Sequence, residues 1–135
     1  MPVVMIHRSS REDTTALAAA QDLSRERGDL LIVLATGSGS RAEKAPDIEH
    51  RAFEDRLKHQ LDPDTQWQAA LISPGEDAVD ALIEHVHTLQ PSTVVVGTRH
   101  RSTVGKLLFG HDLQRLLMDI EVPILLVKPM RQGSR

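Results

Sequence analysis

A chain of 135 residues, 40% hydrophobic and 26% charged, has the size and balance of one globular domain with a single sizeable core. Its net charge of −3 excludes a nucleic-acid binder that works through overall charge, and an aromatic content of 2% leaves no stacking platform for single strands. With no cysteine there is no disulfide framework, thiol catalysis or cysteine-ligated metal; without a signal-peptide pattern or a membrane-length apolar run, a cytoplasmic protein with no membrane and no nucleic-acid partner is expected.

The first element is the apolar run Pro2-Val3-Val4-Met5-Ile6, which reads as a buried strand followed by the polar loop His7 to Ser10. From Arg11 to Arg27 the residues Ala16, Leu17, Ala20 and Leu23 fall on one helical face, and Gly28 stands where a helix C-cap belongs. Leu30 to Ala35 is a second continuous apolar run, the pattern of a parallel strand covered on both sides. Gly37-Ser38-Gly39-Ser40 opens a polar surface connection. Asp47 to Leu61 is a predicted helix with Ile48, Ala52, Phe53 and Leu57 as its buried stripe, ended by Pro63.

Trp67 to Ser73 is a weaker strand, expected near a sheet edge. Ser73 and Glu76 have capping-box spacing, and the helix they open aligns Val79, Leu82, Ile83 and Val86. Thr93 to Val96 is a β-branched strand that stops at Gly97, and a basic loop from Thr98 to Lys106 follows. Leu113, Leu116, Leu117 and Ile120 then share a helical face, Pro123 closes that helix, and Ile124 to Val127 is a last apolar strand. The order β-α-β-α-β-α-β-α-β predicts a single-domain, Rossmann-like α/β open sandwich: a five-stranded, mostly parallel sheet with helices on both faces. The domain is expected to span residues 1–129, with residues 130–135 a frayed tail.

Along this order the chain resembles the universal stress protein family over nearly its whole length. The resemblance rests on the closing run Val122-Pro123-Ile124-Leu125-Leu126-Val127, on the helix start Gly75-Glu76-Asp77-Ala78, on Arg101-Ser102 and Leu107-Leu108, and on the separation of Gly97 from Gly110. The family's signature at the fourth strand is glycine, two residues, glycine, nine residues, glycine, then serine or threonine. Here Gly97 and Gly110 hold the first and third glycine positions, His100 stands at the second and His111 at the hydroxyl position. Nucleotide-binding members carry aspartate-glycine-serine after the first strand, where counting back from Ala16-Leu17 places Arg8-Ser9-Ser10. The opposite charge cannot accept a hydrogen bond from adenine.

The resemblance therefore implies a stress-response module whose nucleotide site is degenerate, non-enzymatic, with no certain cofactor. The candidate site residues are Arg8, Ser9, Ser10, Gly97, Arg99, His100, Arg101, Ser102, Gly110 and His111, with Lys106 beside them. They belong to loops at the carboxyl ends of the first and fourth strands, where side-chain cations can gather a small anionic ligand. ATP or another adenine nucleotide, acting through a nucleotide-dependent switch, is the alternative. A homodimer through the closing strand, residues 122–128, is expected, because an apolar edge strand calls for a partner. The histidine spacings fit no metal site, and Asp77, Asp80 and Glu84 read as a solvated helix face.

Overall fold

The computed structural model describes residues 1–8, 12–37, 46–98 and 110–128. Nine elements follow in the expected order: β1 Val3–Ile6, α1 Glu12–Arg27, β2 Leu31–Thr36, α2 Pro46–Lys58, β3 Trp67–Ile72, α3 Ala78–Leu89, β4 Thr93–Gly97, α4 His111–Asp119 and β5 Ile124–Val127. All five strands pair in parallel, in the order β3-β2-β1-β4-β5. The two edges are thus β3 and β5, and β1 lies at the centre.

Continuous apolar runs become the inner strands because both of their faces are covered. Val3 and Met5 point to one face, against Ala16, Leu17 and Ala20 of α1 and Phe53 and Leu57 of α2. Val4 and Ile6 point to the other, against Val79, Leu82 and Val86 of α3 and Leu113 and Leu116 of α4. The alternation is the period-2 geometry of a strand. It divides the four helices two and two.

The helix ends are set by local chemistry. α1 stops at Gly28, whose φ of +69° is left-handed, as a C-terminal glycine permits. Ser24, Gln21 and Thr65 are buried polar residues, and Gln21 Oε1 accepts from Asp62 N at 2.7 Å and Thr65 Oγ1 at 2.8 Å. This one amide holds the α2–β3 connection against α1. On the outer side of that connection, Ala69 O accepts from His50 Nε2 at 3.2 Å, which ties α2 to the edge strand β3.

Two sequence expectations need correction. On α2, Phe53 and Leu57 are buried, but Ile48 is 69% exposed and Ala52 is exposed too. Five residues separate Ile48 from Phe53, about 140° around a helix at 3.6 residues per turn, so both cannot face the core. The other correction concerns α3. It begins at Ala78, and its N-cap is Asp77, which accepts from Val79 N at 3.0 Å and Asp80 N at 3.1 Å. Ser73 precedes, and Glu76 belongs to, a turn in which Gly75 has φ +60°, outside the helix.

Nor are Asp77 and Asp80 a merely solvated face. Arg115 of α4 donates Nη1 to both oxygens of Asp77, at 3.1 and 3.0 Å, and Nη2 to Asp80. The amide of Asp80, and next the Arg115 guanidinium, hold the Asp77 carboxyl below the usual aspartate value. A cap and an interhelical tie therefore share one carboxylate.

Candidate functional site

α1, which follows β1, packs on one face of the sheet, whereas α4, which follows β4, packs on the other. β1 and β4 are hydrogen-bonded neighbours, so the chain leaves two adjacent strand ends in opposite directions. That is the switch point of an open α/β sheet, where a crevice forms at the carboxyl ends of the strands. The topology thus sets side by side the ends of β1 and β4, from which the polar loop after β1 and the basic loop after β4 depart.

β1 pairs with β4 up to Ile6 opposite Val96. Beyond that pair each strand keeps only its other neighbour: His7 N donates to Leu34 O at 2.8 Å in the β1–β2 ladder, and Thr98 N to Val127 O at 2.9 Å in the β4–β5 ladder. The Gly97 carbonyl at the β1–β4 seam accepts instead from Arg8 Nη2. The Arg8 side chain therefore spans the seam, from the end of one strand to the end of the other. Its own backbone amide donates to Asp13 Oδ2 at 2.7 Å. Asp13 is 1% exposed, so a buried carboxylate at the start of α1 holds the Arg8 amide in place.

His7, one residue earlier, points to the α1–α2 face. Its ring meets Phe53 edge-on with 5.4 Å between centroids, and Arg56 lies over the same ring at 5.8 Å. Nδ1 of His7 is 3.8 Å from Asp13 Oδ2. Burial pushes the His7 pKa below its ordinary value, Asp13 pulls it back up, and Arg56 adds to the lowering.

Two polar atoms in the crevice are buried with no hydrogen-bond partner among the described residues: Arg8 Nε and Thr98 Oγ1. Thr98 is 0% exposed. Gly110 is the N-cap of α4 with extended backbone and no side-chain cap, and His111 is the exposed first residue of that helix. Of the predicted site residues, the structure brings Arg8 and Gly97 into contact and puts Gly110 and His111 at the start of α4. Ser9, Ser10, Arg99, His100, Arg101 and Ser102, like Lys106, lie outside the described residues. Sequence reasoning passed over Thr98 and Asp13. Only the five-residue step from Arg8 to Asp13, and the place of Thr98 directly after Gly97, hinted at them. No group of three or more metal-ligating side chains occurs among the described residues.

The sequence model of the universal stress protein family matches residues 2–128. The chain belongs to the universal stress protein family. A universal stress protein of Mycolicibacterium smegmatis is 44% identical over 55 residues, which cover 41% of this chain and 42% of that protein. The aligned stretch thus spans less than half of that relative's length. Among solved structures, a universal stress protein from Archaeoglobus fulgidus superposes with a TM-score of 0.75 at 22% identity, over 95% of this chain and 98% of the other. A universal stress protein from the same organism in complex with dAMP gives 0.70 at 16% identity, with the same coverage. At these identities the structural likeness speaks for the universal stress protein fold alone. No helix among the described residues is long and apolar enough to cross a membrane.

Proposed function

We propose that this universal stress protein is a cytoplasmic, dimeric and non-enzymatic stress-response module whose nucleotide site has been converted into a site for a small anionic ligand. One observation carries the reading. Arg8 stands where nucleotide-binding relatives have an aspartate, and its guanidinium reaches across to Gly97 O. A cation replaces the acceptor that adenine would use, and its side chain occupies the seam between β1 and β4. The bound dAMP of the Archaeoglobus relative favours the alternative, an adenine-nucleotide switch on the same crevice.

Isothermal calorimetry with ATP, together with analysis of nucleotide co-purified with the recombinant protein, separates the two. The anion reading expects no stoichiometric ATP. Saturable ATP binding at micromolar or tighter affinity would replace it with the nucleotide switch.

The dimer reading rests on β5. It is an edge strand of four apolar residues, and Leu125 on it is 41% exposed. Pairing residues 122–128 with the same strand of a second copy satisfies the free edge and closes with two-fold symmetry. Val127 packs on the α1-side core, so Leu125→Lys is the informative substitution. Sedimentation should show a folded monomer; an unchanged dimer mass in the folded variant moves the interface elsewhere.

A further inference from the structure

The anionic ligand assigned to this crevice can be narrowed by asking which buried polar atoms lack a partner. A buried N–H or O–H that pairs with nothing has lost its water and gained no bond, so it raises the free energy of the unliganded protein. Such atoms are uncommon in folded domains and call for an explanation. Two of them, Arg8 Nε and Thr98 Oγ1, belong to one seam. The β1–β4 pairing ends at Ile6 and Val96, and Arg8 Nη2 reaches the carbonyl of Gly97, the residue directly before Thr98.

The guanidinium is fixed at one end, since Nη2 donates to Gly97 O. That bond sets the plane of the fork and leaves Nε–H with no partner of its own. Thr98 is fixed as well, through its amide bond to Val127 O. A donor with full positive charge and a rotatable hydroxyl, both pre-positioned and dry, match the oxygens of a compact oxyanion. An adenine ring offers no comparable negative oxygen, and the Arg8 side chain already occupies the β1–β4 seam.

We infer that Arg8 Nε and Thr98 Oγ1 form an oxyanion subsite that takes a phosphate group, free or as a monoester, with no contribution from a purine. The inference rests on the anionic-ligand reading above and adds the chemical class and the two donor atoms.

The test is a calorimetric titration of the full chain with inorganic phosphate, AMP and adenosine, repeated on Thr98→Val and Arg8→Lys, with ¹⁵N chemical shifts of the Arg8 and Thr98 amides followed in parallel. The expected result is saturable binding of phosphate or AMP but not adenosine, shifts centred on Arg8 and Thr98, and about fivefold or greater weakening in Thr98→Val. Phosphate binding without AMP binding identifies the free anion as the ligand; equal binding of both admits the monoester. Arg8→Lys keeps the charge but loses Nε, and should weaken binding at least as much. If that variant fails to fold, Thr98→Val, which is nearly isosteric, and the shift map decide alone. Undiminished phosphate affinity in Thr98→Val, or shifts located away from the seam, overturns the subsite while an anion site elsewhere survives. Adenosine binding as well as AMP overturns it in favour of the nucleotide switch. If none of the three binds, both the subsite and the anion reading fall.

Discussion

Replacing Phe53 tests whether α2 is anchored where the structure places it. The ring is 2% exposed, belongs to the core between α1, α2 and the sheet, and touches His7 and Arg56. Phe53→Ala should cost about 3–5 kcal/mol, through lost burial and the cavity left behind. A domain of this kind is stable by roughly 5–15 kcal/mol, so the variant remains folded but weakened. Unfolding entropy of roughly 2 cal/mol/K per residue over this chain gives about 3.5 °C per kcal/mol, hence a Tm drop of about 10–18 °C. Phe53→Leu keeps most of the volume and loses the ring contacts, a cost of about 1–2 kcal/mol. Urea unfolding supplies both numbers, and NMR titration supplies a third readout. Burial is the main cause of the lowered His7 pKa, so opening a cavity beside the imidazole in Phe53→Ala should move that pKa back toward 6.5. Equal losses in the two variants, or an unmoved His7, would refute the placement of the ring.

The same histidine predicts a pH dependence: its folded pKa lies below 6.5, so its stabilising share is complete above that pH and is lost as pH falls through the lowered value. Urea midpoints between pH 7.5 and 5 should fall more steeply for wild type than for His7→Gln. Gln90 closes α3 in the left-handed region at φ +51°, which costs a side chain about 1 kcal/mol, so Gln90→Gly should raise stability by roughly 0.5–1 kcal/mol. Gly28→Ala, at φ +69° with open space around the added Cβ, should lower it by about 1 kcal/mol for the same backbone reason; thermal melts compare the pair. Asp77→Ala removes the α3 cap and the two Arg115 bonds to that carboxylate together, leaving the one to Asp80, and hydrogen exchange at the Val79 and Asp80 amides should accelerate selectively.

The strands were legible because parallel strands buried on both faces must be continuously apolar, and residues 3–6, 31–35 and 94–96 are. The weaker pattern of residues 67–72 correctly marked an edge. Helix faces were harder. On α2 two overlapping stripes compete, and the apolar character of Ile48 could not reveal that Phe53 and Leu57 set the rotation. At α3 a serine and a glutamate with correct spacing were overruled by the turn at Gly75, which delivers Asp77 to the cap. In the site, the position of Arg8 followed from counting along the first helix. Its bond to Gly97 did not, because 89 residues separate the two and only the sheet order brings them together. Asp13 looked like one more charge at a helix start; the fold buries it under the Arg8 amide.

The central place of β1 also dictates the order in which the chain can be built. Its partner on one side, β2, is synthesised almost at once, but its partner on the other is β4, paired through Val3 with Thr93. A nascent chain that has reached β3 can form only half of the sheet, with an apolar, unpaired flank along β1 and one face still waiting for α3 and α4. Long-range parallel pairing of this kind is slow, because the loop must close before the contact rewards it. The exposed flank is during that interval a template for other chains. The residues that later shape the crevice thus complete the sheet late in synthesis, so a protein able to bind at the seam is also one whose vulnerable half-sheet has been sealed.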